Sequence, residues 1–201
     1  MTGEFQNTAG SSLCKECPIG WNNGLTAKDI CVECVPGQYQ NELKKPSCVS
    51  CDVGLYSSDI GASSVSVCTE CPVGTYSAAK GVTQVDDCIK CAPGKWSDTV
   101  GATLGSDCKD CIIDYFSADE GRTINCEKCA EDATTLEVGQ TICLKCNAGL
   151  HMKKSDDGSK SCLACPSGSV SSYGKISCDQ CLAGTYTNVD QTSCDIEQST
   201  R

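Results

Sequence analysis

The chain is poor in the residues that build an ordinary core. Leu, Ile, Val and Phe together contribute about 35 of 201 residues, under the fifth below which a chain struggles to pack a globular interior. Aromatics are held to two Trp, six Tyr and two Phe, and there is a single histidine, His151. Something other than apolar burial must fix the shape. No Lys/Arg run occurs in a chain of formal charge -10 and pI near 4.5, which argues against nucleic acid or an anionic membrane surface as partner. No stretch approaches the roughly 18 apolar residues of a membrane span, so no direct membrane insertion is expected. Residues 1–13 lack the basic start and apolar segment of a signal peptide. Either processing has removed the targeting parts or the sequence is a fragment of a longer chain, and a repeat array filling so clean a window favours the second. There is no Asn-x-Ser/Thr sequon, which leaves O-linked glycan on the plentiful Ser and Thr as the expected sugar.

What the chain has is cysteine. There are 21, a density read as a disulfide scaffold in a secreted protein. Ten CxxC pairs run from Cys14/Cys17 to Cys178/Cys181, with Cys194 closing the series. Between Cys51 and Cys111 the pairs keep a strict period, the signature of a small unit stacked end to end.

Aligned on the second cysteine of each pair, the loops open on a glycine three residues later: Gly20, Gly37, Gly54, Gly74, Gly94, Gly149, Gly168 and Gly184. Pro18, Pro36, Pro72, Pro93 and Pro166 lie between cysteine and glycine, which is turn chemistry. Five residues after the same cysteine comes an aromatic in most units, Tyr39, Tyr56, Tyr76, Trp96, Phe116 and Tyr186, usually followed by a hydroxyl residue. These rings are read as packing rings, each covering its own disulfide and the neighbouring unit. A further glycine (Gly61, Gly81, Gly101, Gly121, Gly139) follows ten residues after the cysteine, where the chain is expected to reverse. No 3.6-residue periodicity is sustained, so very little helix is expected. The expected fold is a small disulfide-rich, mostly β and irregular chain, an elongated rod of about ten tandem hairpin-like repeats. A polar N-terminal segment (1–13) precedes the array (14–194), and a tail (195–201) follows it.

The stretches CPVGTYSAAKGVTQVDDC (Cys71 to Cys88), CAPGKWSDTVGATLGSDC (Cys91 to Cys108) and CDVGLYSSDIGASSVSVC (Cys51 to Cys68) resemble the ephrin-receptor-like cysteine-rich repeat, related in style to tumour-necrosis-factor-receptor and EGF-like modules. The resemblance implies a large extracellular or cell-surface protein. It weakens across 111–162, where Asp114 holds the glycine place, the Cys129 unit has neither glycine nor ring, and His151 holds the aromatic place.

Two pairing schemes fit the spacing. In one, each unit closes on itself: Cys17 with Cys31, Cys34 with Cys48, Cys51 with Cys68, Cys71 with Cys88, Cys91 with Cys108, Cys111 with Cys126, Cys129 with Cys143, Cys146 with Cys162, Cys165 with Cys178 and Cys181 with Cys194. Cys14 is then left for an upstream partner or another chain. In the other, pairs cross in blocks, Cys14 with Cys31 and Cys17 with Cys34, leaving Cys194 over. The first is favoured because the turn, ring and second glycine fall inside each loop. Spacing alone does not decide.

Paired CxxC motifs also have the spacing of four-cysteine zinc sites. The glycine lies beyond the knuckle, however, and no Cys/His mixture occurs, so no metal and no cofactor are expected. No nucleophile and base can be assembled, so the chain is not expected to be an enzyme. A structural or adhesive segment of an extracellular or cell-surface protein, such as a filament or appendage subunit, is the leading expectation, with self-association or other extracellular proteins as partners. A ligand-binding ectodomain segment, using the irregular 111–162 stretch, is the alternative, and a zinc-binding protein the second.

Overall fold

A computed structural model of the chain describes residues 2–7, 13–25 and 29–196. Among them are eleven two-stranded antiparallel sheets and no α-helix. Three single turns of 3-10 helix occur, Val65–Val67, Val85–Asp87 and Gly105–Asp107. The chain is thus a tandem series of small disulfide-closed hairpins.

One repeat explains the rest. After Cys51 the chain turns tightly, Leu55 N–H donating to Asp52 O at 3.1 Å, with Gly54 third in the turn at φ 75°, the left-handed value that a type II turn demands there. The strand Leu55–Tyr56 then pairs with Thr69–Glu70, the two residues enclosed by the closing CxxC. Those enclosed residues look ordinary because they form the exposed strand of the hairpin. A disulfide from Cys51 to Cys68 ties the hairpin at its base.

Neighbouring repeats are joined through backbone. Between the repeats opened by Cys51 and Cys71, Gly54 N–H donates to Ser77 O (2.8 Å), Ser57 N–H to Val82 O (3.0 Å), Cys71 N–H to Gly54 O (2.9 Å) and Gly81 N–H to Cys51 O (2.8 Å). The second glycine therefore does more than reverse the chain: its amide closes the seam to the preceding repeat. Contact also reaches two repeats ahead. A Cβ placed on Gly54 would lie 2.3 Å from Gly101 O, and one on Gly74 would lie 2.2 Å from Gly121 O. Glycine holds this place because a backbone carbonyl occupies the volume of any side chain.

The chain divides into two compact units, one made of residues 1–92, 97–109 and 121–124, the other of 93–96, 110–120 and 125–201. The seam just described belongs to the first. In the second the same bonds recur as Gly94 N–H to Ser117 O (2.8 Å) and Gly139 N–H to Cys111 O (2.7 Å).

The buried interior differs from a ring-built core. Cys17, Cys34, Cys71, Cys91 and Cys111 are fully buried, as are the hydroxyl residues that follow the rings, Ser57, Ser77, Ser97 and Ser117. Ala62, Val82, Ala102, Ala133 and Met152 are buried with them. Tyr39, Tyr56, Tyr76, Trp96 and Phe116 are only half-buried, and Tyr186 is 49% exposed. Repeats held together by backbone bonds approach too closely for a ring to fit between them, so a serine fills the seam and the ring lies over its flank. The serine oxygen is used locally: Thr99 N–H donates to Ser97 Oγ at 3.3 Å, the side-chain-to-backbone turn that favours short polar residues. Ser97→Ala is expected to cost about 1 kcal/mol, and Ser97→Val, which overfills the seam, about 1–3 kcal/mol. Hydrogen exchange at the Gly74 amide, whose acceptor is Ser97 O, reports both.

The array boundary at Cys14 shifts outward in the structure. Glu4–Phe5 pairs with Lys15–Glu16 in the register of the later hairpins, with Gly3 at φ 77° in the turn. Gly3, Phe5 and Gln6 occupy the glycine, ring and polar places of a repeat, so residues 2–7 already belong to the array. Met1, residues 8–12 of the N-terminal segment and residues 197–201 of the tail lie outside the described residues.

Candidate functional site

The structure joins Cys17–Cys31, Cys34–Cys48, Cys51–Cys68, Cys71–Cys88, Cys91–Cys108, Cys111–Cys126, Cys129–Cys143, Cys146–Cys162, Cys165–Cys178 and Cys181–Cys194. Cys14 is free and exposed. Sulfur held in a disulfide is not the thiolate that zinc requires, so the four-cysteine zinc reading has no ligands left to use.

The irregular stretch is rewired rather than loose. Asp114 takes the glycine place at φ 68°, a backbone state that Asp tolerates better than most residues. Its N–H donates to Thr135 Oγ1 at 2.8 Å, where a regular repeat uses a backbone carbonyl, and Thr134 Oγ1 donates to its carboxylate. Thr134 and Thr135 are both fully buried. Two repeats ahead of Asp114, in the repeat opened by Cys146, the hairpin has lengthened to Leu150–Lys154 paired with Lys160–Ala164. The place where other repeats present the second glycine is taken up by that hairpin's turn, closed by Gly158 N–H to Ser155 O at 2.9 Å. Lys160 Nζ then donates to Ala130 O (2.8 Å) and Ala133 O (3.0 Å), capping the Cys129 turn. The other two non-glycine residues at positive φ, Lys44 and Gln191, also stand in a glycine place, ten residues beyond their cysteine.

Charge on this scaffold is local and solvated. Lys145 pairs with Asp132 and Lys44 with Glu4. Hydrogen bonding to the lysine holds each carboxyl below its ordinary range. Both pairs sit at the surface, where such bridges add little to stability.

Two surface cavities stand out. One of about 320 Å³ is lined by Phe5, Pro18, Trp21, Asp29, Ile30 and Cys31. It is apolar, and it lies among residues 5–31 rather than in the 111–162 stretch where a binding face was expected. The other, of about 290 Å³, includes His151, Pro166, Ser169, Ile176, Cys178 and Gln180. Apolar side chains are also widely exposed, among them Ile60, Val65, Ile89, Leu104, Ile112 and Ile124.

The aromatic place can now be located. Its occupant leans on the closing segment of the following repeat: Tyr76 sits where a Cβ on Gly105 would be 3.3 Å from its ring, and Asn22 Nδ2 lies 3.1 Å from Cys48 Sγ. His151 keeps that place, with Nδ1 3.2 Å from Cys178 Sγ.

The family described as tyrosine-protein kinase ephrin type A/B receptor-like matches residues 22–68 and again residues 63–108. Residues 22–108 carry ephrin-receptor-like cysteine-rich repeats. The family matches stop at Cys108, just before Asp114 replaces the turn glycine, while hairpins continue beyond it. Ephrin-receptor-like repeats of this disulfide density form an extracellular receptor-like or structural module. No curated protein matches the chain. No helix among the described residues is long and apolar enough to cross a membrane.

Proposed function

We propose that this chain is a structural or adhesive segment of an extracellular protein, a filament or appendage subunit that associates with copies of itself or with other extracellular proteins. The observation that carries this reading is the glycine seam. In each compact unit, backbone amides and carbonyls of successive repeats bond directly to one another, and every repeat from the one opened by Cys17 onward is closed by its own disulfide. Load along such a chain falls on hydrogen bonds and covalent bridges, with little dependence on apolar packing. Exposed Ile, Val and Leu side chains offer lateral contact surfaces, of the kind that marks protein–protein interaction when they cluster.

A second reading, a ligand-binding ectodomain segment, is favoured by the apolar cavity at Phe5, Pro18, Trp21 and Ile30. Electron microscopy of the purified native protein separates the two. Filaments or laterally associated bundles are expected for a structural segment. Monodisperse single particles at every concentration would overturn that reading in favour of ligand binding.

A further inference from the structure

The chain's single histidine rests on a disulfide. At the place where other repeats set Tyr, Trp or Phe over the next repeat, the Cys146 repeat sets an imidazole, and its Nδ1 is 3.2 Å from Cys178 Sγ. His151 Nδ1 or Nε2 and the two sulfurs of the Cys165–Cys178 bridge lie within 4.8 Å of one another. Cys165 is 4% exposed, whereas Cys178 is half-buried and lines the cavity of about 290 Å³ with His151. One sulfur of this bridge is thus reachable, the other is sheltered, and an imidazole lies beside both. In the cavity wall, Ser169 Oγ donates to Pro166 O at 2.7 Å.

We propose that His151 and the Cys165–Cys178 bridge form a thiol–disulfide exchange site that accepts a cysteine thiol through this cavity. The incoming S–H gives its proton to His151 Nδ1, and the resulting thiolate attacks Cys178 Sγ. The Cys165–Cys178 bond breaks, a new disulfide joins the incoming sulfur to Cys178, and the Cys165 thiolate takes the proton from the imidazolium. One disulfide is exchanged for another and one thiol for another, so no oxidant or reductant is consumed. The comparison with Asn22 makes the point chemically: its amide also touches a disulfide sulfur, Cys48, but an amide cannot carry a proton between thiols. The exposed free thiol of Cys14 in a second copy is one donor of the right chemistry; a small soluble thiol is the other. The site stands independently of the structural reading above.

The test exposes the intact oxidised protein to glutathione at neutral pH and maps adducts over time without reduction. Modification is expected first at Cys178, faster than at any other bridge by on the order of tenfold or more, the scale of general acid–base assistance. His151→Gln is expected to bring Cys178 down to the rate of the other bridges, and His151→Phe, which restores a shielding ring, lower still. Retention of all ten bridges before thiol addition shows that each variant has folded. Incubating the protein alone distinguishes the donors. A Cys14–Cys178 link between copies, absent in Cys14→Ser, assigns the thiol to a second copy, while glutathione adducts without that link assign it to a soluble thiol. Equal reactivity of all bridges, or an unchanged Cys178 rate in His151→Gln, would overturn the proposal.

Discussion

Gly74→Ala should destabilise the first compact unit by several kcal/mol, well beyond the usual cost of removing a glycine from a turn. Two effects add. The residue sits at φ 78°, where a side chain costs roughly 1–2 kcal/mol. The new Cβ would also stand 2.2 Å from Gly121 O and 2.8 Å from its carbonyl carbon. A backbone carbonyl two repeats away cannot rotate aside as a side chain does, so the seam must open. The bonds at risk are Gly74 N–H to Ser97 O and Cys91 N–H to Gly74 O. Hydrogen exchange at these two amides should rise by orders of magnitude, and the thermal midpoint should fall by on the order of 10 °C. Gly184→Ala supplies the control. It shares the positive φ, at 88°, but nothing lies within 4 Å of the added carbon. Its cost should stay near the strain alone, about 1–2 kcal/mol. Equal effects at the two positions would show that conformation, and not the close approach of repeats, is why glycine stands there.

Reduction should have the larger effect, abolishing the hairpins throughout both units. Each bridge closes a loop with a sequence separation of 13 to 17, worth about 3 kcal/mol in the chain-entropy model. The apolar alternative is thin: besides cysteine, the buried apolar side chains are Ala62, Val82, Ala102, Ala133 and Met152. A paired substitution such as Cys71→Ser with Cys88→Ser should loosen its own repeat and the seams on either side, leaving distant repeats protected, since contacts in such arrays are made with near neighbours. Far-ultraviolet circular dichroism with and without reductant, together with exchange mapping of the double variant, checks both expectations. Persistent native exchange protection after full reduction would mean that the backbone seam suffices by itself.

Much of this was legible in the residues. The period, the turn glycine and the hairpin follow from CxxC spacing and Pro/Gly chemistry, because these are local and repeat in register. What is not local was missed. The second glycine reads as a chain reversal in one repeat, yet its amide serves the preceding repeat and its carbonyl presses on a glycine two repeats back, a relation that depends on the pitch of the stack. The hydroxyl residue after each ring carries no sign of its burial in sequence, yet Ser97 is fully buried, because a seam built from backbone admits only a small side chain. Glu4–Phe5 was hidden in a polar segment for want of a cysteine ahead of it, although Gly3 and Phe5 carry the spacing that could have revealed it. Asp114 marks the rewired repeat in sequence, but its partner Thr135 could not be named, since the pairing joins residues 21 apart in successive repeats. His151 was read as a replacement ring, and it does keep the ring's place. Only the geometry sets its nitrogen on Cys178.

The central claim is that each hairpin from Trp21–Asn22 onward is closed by its own disulfide and that these closures hold the array together. Non-reducing peptide mapping with thiol counting on the denatured, unreduced protein tests it most directly. The account predicts one thiol per chain, with bridges running from the second cysteine of each pair to the first of the next. Many reactive thiols, or crossed links such as Cys14–Cys31 with Cys17–Cys34, would contradict it.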